Sequence, residues 1–177
     1  MRDRHISSPI GETPAPATEG GMHGLDFKLL PVCALSLRVS GRDVVGLTPG
    51  GLRAVGHLGE GKVEGPRLKG IVLPGGADWS CLRNDGIMEV DAKLMIRTHD
   101  GAIIQMSYTG AVDLGEDAFD RALKGMPPAG PPVSRTAPRM ATSAPAYLWV
   151  NRRLFLGVGA IDYGPVITVR YDIYEVQ

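Results

Sequence analysis

From Leu29 onward, apolar and polar positions alternate with a period of two, the pattern of strands that bury one face. Over 32–39, Cys33, Leu35, Leu37 and Val39 fall on one face, with Ser36 and Arg38 on the other. The cleanest alternation runs over 89–98, where Val90, Ala92, Leu94 and Ile96 oppose Asp91, Lys93, Met95 and Arg97. Near the end of the chain Ile167, Val169, Tyr171 and Ile173 share a face. The same reading predicts strands over 52–58, 67–73, 78–82, 102–109, 147–151, 154–158 and 166–176. Turns are expected at 40–43, 48–51, 84–86 and 99–101, where Gly, Pro, Asn and Asp cluster. Gly59-Glu60-Gly61 marks a bulge or sharp bend.

One helix is expected, near 114–124. Asp113 is placed as its N-cap and Glu116 as the reciprocal partner of a capping box. Leu114, Ala118, Ala122 and Leu123 give an apolar stripe, and Gly125 followed by Pro127-Pro128 stops it. The proline-rich stretch 125–145 reads as a long loop, a lid or an interface arm. Many antiparallel strands and a single helix make the chain mainly β. Closure into one antiparallel β-barrel would bury one face of every strand and remove the edges. Residues 25–177 are assigned to the barrel domain. Residues 1–24 are rich in Gly, Pro, Ser and Thr and have no aromatic residue, so they are expected to be a flexible N-terminal extension or a partner-binding arm.

Composition narrows the function classes. The 177 residues carry 19 Lys+Arg and 19 Asp+Glu, a formal net charge of zero. That argues against a cationic nucleic-acid surface or a polybasic membrane anchor. With 24 Gly and 14 Pro a helix bundle is disfavoured, and 44% hydrophobic residues are enough for a core. Cys33 and Cys81 form no CxxC pair and read as buried thiols of a reducing compartment. No apolar run follows Arg2 and Arg4 as in a secretory signal, and the charge-free stretches are shorter than a membrane helix needs. A cytoplasmic protein without nucleic-acid or membrane partners is expected, with homo-oligomerisation left open. No phosphate-binding loop, dinucleotide fingerprint, HExxH or GxSxG is present, so neither a metal nor a cofactor is expected.

One stretch is distinctive: Gly65-Pro66-Arg67-Leu68-Lys69-Gly70-Ile71-Val72-Leu73-Pro74-Gly75-Gly76-Ala77-Asp78-Trp79. Together with Asp85-Gly86, Asp91-Ala92, His99-Asp100-Gly101, Arg135-Thr136-Ala137-Pro138 and Trp149-Val150-Asn151, it resembles the family catalogued as domain of unknown function 3237. The resemblance runs from about Leu29 to Val176 and implies a small antiparallel barrel, similar in general form to the allene oxide cyclase and dirigent barrels. Those barrels hold apolar ligands and steer cyclisation or coupling, an analogy at the level of fold. Two places depart from the family pattern. Glu60 stands where a glycine is usual, and Met140-Ala141-Thr142 replaces the usual Phe-Glu-Thr.

The candidate catalytic residues are Asp78, Glu60 and Tyr108. Asp78 would be a carboxylate whose pKa an apolar wall raises, or else a turn aspartate bound to backbone amides. Glu60 would be a base specific to this chain, or an exposed loop residue. Tyr108 would offer a phenol to a ligand oxygen, or simply be a buried tyrosine. Arg53, Trp79, Arg97, Trp149 and Asn151 are the candidate substrate contacts. Against that stand surface ion pairs for the arginines, core packing for the indoles and a turn for Asn151. The leading expectation is a cofactor-independent enzyme that moves protons on a small, mostly apolar oxygenated molecule by isomerisation, cyclisation, or hydration and elimination. Its alternative is a non-catalytic carrier barrel with an apolar pocket, and a third reading is an interaction protein without a pocket.

Overall fold

In the computed structural model, which describes residues 24–130 and 132–177, the alternation resolves into eight strands. They are β1 (Leu29–Thr48), β2 (Gly51–Glu64), β3 (Gly70–Leu82), β4 (Ile87–Thr98), β5 (Ile103–Asp113), β6 (Val133–Ala141), β7 (Leu154–Asp162) and β8 (Thr168–Val176). Each pairs antiparallel with the next, and β8 pairs back to β1, closing a barrel. The predicted extension over 1–24 falls, apart from Gly24, outside the described residues.

Strand alternation decides what fills the interior. On β4, Val90, Ala92, Leu94 and Ile96 are buried while Asp91, Lys93 and Arg97 are exposed. Leu35, Leu37, Ile104, Met106, Phe155 and Ile173 complete the apolar centre. Cys33 and Cys81 are both buried and unpaired. Among the described residues no helix is long and apolar enough to cross a membrane.

Several expected breaks are bulges inside longer strands. β1 runs through 40–43 with register shifts at Leu37/Val39 and Val39/Gly41. Pro74–Gly76 is taken up within β3 by a shift between Leu73 and Ala77. The bulge expected at Gly59–Gly61 is present, between Leu58 and Gly61. Extra residues bend strands sharply without ending their pairing, which suits a tightly curved barrel.

Three other expectations are corrected. The stretch 125–145 contains β6, whose inner face carries Ser134, Thr136, Pro138 and Met140. A polar inner face hides the period of two, and Pro138 lies beyond the Ser134–Thr136 ladder with β7. The stretch 147–151, expected as a strand, is a 3₁₀ segment spanning Pro145–Arg152. The helix α1 is shorter than expected, Ala118–Leu123, with Asp117 at its N-cap position. Asp113 instead accepts the Gly115 amide in a local turn, at 3.0 Å.

The two ends of the barrel differ. One end is plugged by the 3₁₀ segment, which buries Tyr147 and Val150 and sets Trp149 edge-on to Phe155 at 6.0 Å between ring centroids. The other end is roofed by α1 and the loop after it. Arg121 Nε donates to the Pro127 carbonyl at 2.7 Å and ties that loop to the helix. Gly86, at φ +83°, lets the β3–β4 turn meet the segment before α1, where a Cβ would stand 2.0 Å from the Gly115 carbonyl oxygen.

Candidate functional site

Beneath α1 lies a cavity of about 730 Å³, inside the range of small-molecule sites. Its apolar walls include Val39, Leu52, Leu58, Leu82, Val90 and Val169, and Leu123, Met126 and Pro127 overhang it. Asp78, Ser80, Tyr108, Tyr163, Tyr171 and Arg42 supply its polar groups.

Register explains how these side chains meet. Arg42 pairs with Gly56, Gly56 with Asp78, Asp78 with Ala92, and Ala92 with Tyr108. These five residues form one inward-facing row across β1 to β5. Arg42, Asp78 and Tyr108 occupy alternate strands, and the small residues Gly56 and Ala92 lie between them, leaving open space along the row. Neighbouring strands are about 4.8 Å apart, so successive functional residues start roughly 10 Å apart along the wall. Because barrel strands tilt, a row across them climbs around the axis. Arg42 is accordingly exposed at the mouth, Asp78 half-buried, and Tyr108 buried at 4% exposure.

Asp78 is the acid-base group of this row. One carboxylate oxygen, Oδ1, accepts the Asp91 backbone amide at 3.1 Å. Burial pushes its pKa up; the Asp91 amide opposes this and the Asp91 charge adds to it, and the result is about 6. Such a carboxyl exchanges protons near neutral pH.

Three phenols face it. Burial first, then Tyr171 and the Asp78 charge, hold the Tyr108 pKa well above the usual phenol value. Tyr163 is raised by burial, with Arg42 pulling down and Asp78 pushing up. Tyr171 is raised by burial and Asp78, against its hydrogen bond with Ser134. All three are therefore neutral donors at physiological pH. Tyr171 shares a 2.9 Å hydrogen bond with Ser134 Oγ, and its ring packs on Tyr108 at 5.4 Å. Gly159 makes room for it, since a Cβ there would stand 2.3 Å from the Tyr171 ring. Among the described residues nothing hydrogen-bonds the Tyr108 hydroxyl, and Tyr108 lines the cavity.

The structure brings Asp78 and Tyr108 together and places the other candidates elsewhere. Glu60 lies on the outer face at the β2 bulge, and Arg53 and Arg97 are exposed on the outer faces of β2 and β4. Trp79 is 50% exposed outside the barrel, because it follows an inward-facing strand residue. Trp149 belongs to the plug at the far end, under the Arg67 guanidinium at 3.9 Å. Asn151 clasps the backbone of Thr142 there, with both bonds at 2.9 Å. Arg42, Ser80, Tyr163 and Tyr171 were missed. Ser80 shares the parity of Asp78, and Tyr171 shares that of Val169 and Ile173, so sequence periodicity held a trace of both.

The family sequence model described as "Protein of unknown function (DUF3237)" matches residues 27–176. The chain belongs to the DUF3237 family. A UPF0311 protein of Rhodopseudomonas palustris is 33% identical to it over 147 residues, covering 82% of this chain and 94% of that protein. A crystal structure of a protein described as of unknown function from Clostridium acetobutylicum superposes with a TM-score of 0.75 at 25% identity. It covers 86% of this chain and 100% of the other. A crystal structure described as an enzyme from Penicillium herquei shares the fold, with a TM-score of 0.56 at 19% identity over 92% of this chain and 100% of that one. This DUF3237 chain thus has the barrel of its relatives, and its cavity chemistry is read from its own side chains.

Proposed function

We propose that this DUF3237 barrel is an enzyme that moves protons on a small, mostly apolar oxygenated molecule held in its cavity. The observation that carries the reading is Asp78: a carboxyl with a pKa of about 6, set in a largely apolar cavity that three neutral phenols also line. Asp78 takes or delivers a proton at carbon or oxygen. The Tyr108 hydroxyl donates to the substrate oxygen on which negative charge develops. A preorganised donor aimed at the developing charge contributes strongly to such a step. Isomerisation, cyclisation, and addition or loss of water are the reactions this pair supports. A fold neighbour described as an enzyme is consistent with catalysis in such a barrel, as an analogy of fold alone.

The test is hydrogen exchange in D₂O, followed by NMR over a panel of cyclic and aryl ketones and enones. The wild-type protein should speed deuterium uptake next to the carbonyl, and Asp78→Asn should reduce the rate by about 10²–10⁴. Equal rates in the two proteins would remove Asp78 from the mechanism. Binding of panel members without exchange would assign the cavity to carriage.

A further inference from the structure

Arg42 is the other charged group of the cavity, and its surroundings leave its charge unused. Among the described residues that line the cavity, Arg42 and Asp78 are the charged side chains. No carboxylate among the described residues pairs with Arg42. Its neighbour Asp43 alternates to the outer face and is engaged there by His57 Nε2 at 2.8 Å. Across the ladder Arg42 faces Gly56, which has no side chain to block the path along the row to Asp78. The Tyr163 phenol lies close enough for the Arg42 charge to be felt on it, giving the mouth a second donor. Apolar side chains of Val39, Val44, Leu52 and Leu58 line the cavity around this row.

From this arrangement we infer that the molecule taken by the cavity is an amphiphilic organic anion. Its carboxylate or phenolate sits on Arg42 and Tyr163 at the mouth, and its apolar body reaches down the row to Asp78. An unpaired guanidinium beside an apolar wall suits a planar oxyanion, which it can bind through two N–H groups at once. The Asp78 charge at the floor repels an anion bound the other way round, so one orientation is selected. The inference names the substrate class of the reaction proposed above and rests on that reading for its function, but its binding step can be measured without turnover.

The probes are 2-naphthoate and its neutral isostere 2-naphthamide, titrated by calorimetry and by ligand-observed NMR. The wild-type protein should bind naphthoate about tenfold or more tightly than naphthamide, the scale of a hydrogen bond to a charged group. Arg42→Gln should abolish that preference by weakening naphthoate far more than naphthamide, and Arg42→Lys should keep part of it. Asp78→Asn should bind naphthoate at least as well as the wild type, because a like charge is gone. Equal binding of the two probes by the wild type would overturn the inference. So would a preference that survives in Arg42→Gln, or no binding of either probe at millimolar concentration. If the Arg42-dependent preference holds while the ketone panel shows no exchange, the anion site stands and proton transfer falls. The reverse outcome removes only the anion site.

Discussion

The Asp91 backbone amide donates to Asp78 Oδ1 at 3.1 Å, so one carboxyl oxygen is bound to the wall while the side chain lines the cavity. This contact limits the rise in the Asp78 pKa without cancelling the effect of burial. The folded pKa, about 6, lies above the ordinary 3.8. Stability linked to this group is therefore fully present below about pH 4 and is lost as pH rises through 6. The gap corresponds to at most roughly 3 kcal/mol, reduced because the cavity mouth is open to water. Asp78→Asn keeps an oxygen for the Asp91 amide and removes the ionisation. It should match the wild type in thermal melts at pH 4 and be more stable by about 1–2 kcal/mol at pH 8.

Tyr108 and Tyr171 look alike in the sequence and differ in their bonds. The Tyr108 hydroxyl has no protein partner among the described residues, whereas that of Tyr171 bonds the buried Ser134. Tyr108→Phe keeps the ring against Tyr171 and should change stability by less than about 0.5 kcal/mol, while lowering turnover by about 10²–10³. Tyr171→Phe should cost about 1 kcal/mol by breaking a buried hydrogen bond. Chemical denaturation and kinetics on the two variants separate the roles.

The outward candidates give the matching control. Glu60→Gln, Arg53→Gln, Arg97→Gln and Trp79→Ala alter side chains outside the cavity. Each should keep ligand binding and turnover within about twofold, with stability changes within about 0.5 kcal/mol, or about 1 kcal/mol for the half-exposed indole. Loss of turnover in a folded Trp79→Ala would mean that the site extends to the outer face.

These placements show how far the sequence could be read. Alternation sorted the residues of β4 and β8 into two faces, and closure of the sheet turned the apolar face inward. On β2 it also favoured Leu52, Ala54, Gly56 and Leu58 over Arg53, Val55 and His57 for the inner face, which already set Arg53 outside the cavity. Asp78 and Trp79 were both drawn to the cavity, although adjacent strand residues cannot share a face. The end of the barrel at which a residue sits was harder still. Trp149 and Asn151 lie at the plugged end because strands run alternately up and down, so a single misread strand moves the chemistry to the wrong mouth. The row Arg42–Gly56–Asp78–Ala92–Tyr108 rests on four registers, and the β1–β2, β2–β3 and β3–β4 ladders all contain bulges. No periodicity reports the accumulated offset.

The plugged end depends on Arg67, which lies over the Trp149 ring at 3.9 Å and pairs with the fully buried Glu175. Arg153 Nε also approaches Glu175, at 3.3 Å, and Gln177 donates to it at 2.8 Å. Burial alone would raise the Glu175 pKa. The Gln177 and Arg67 hydrogen bonds and the two guanidinium charges outweigh it and hold the pKa below 4.5. A depressed carboxylate contributes stability above its unfolded pKa and loses it as pH falls through the folded value. Arg67→Ala removes a hydrogen bond and a charge from Glu175 and uncovers the indole. It should destabilise the barrel by about 1–3 kcal/mol at pH 7, combining a charged hydrogen bond with a cation–π contact. The deficit should shrink as pH falls through the depressed folded value of Glu175, because a protonated carboxyl no longer draws on the Arg67 charge. Arg67→Lys should recover part of the neutral-pH loss, because an ammonium keeps the charge but not the flat stacking surface. Thermal melts of the three proteins at pH 3 and pH 7 check this. A deficit of equal size at both values would show that Arg67 acts through packing on Trp149 alone.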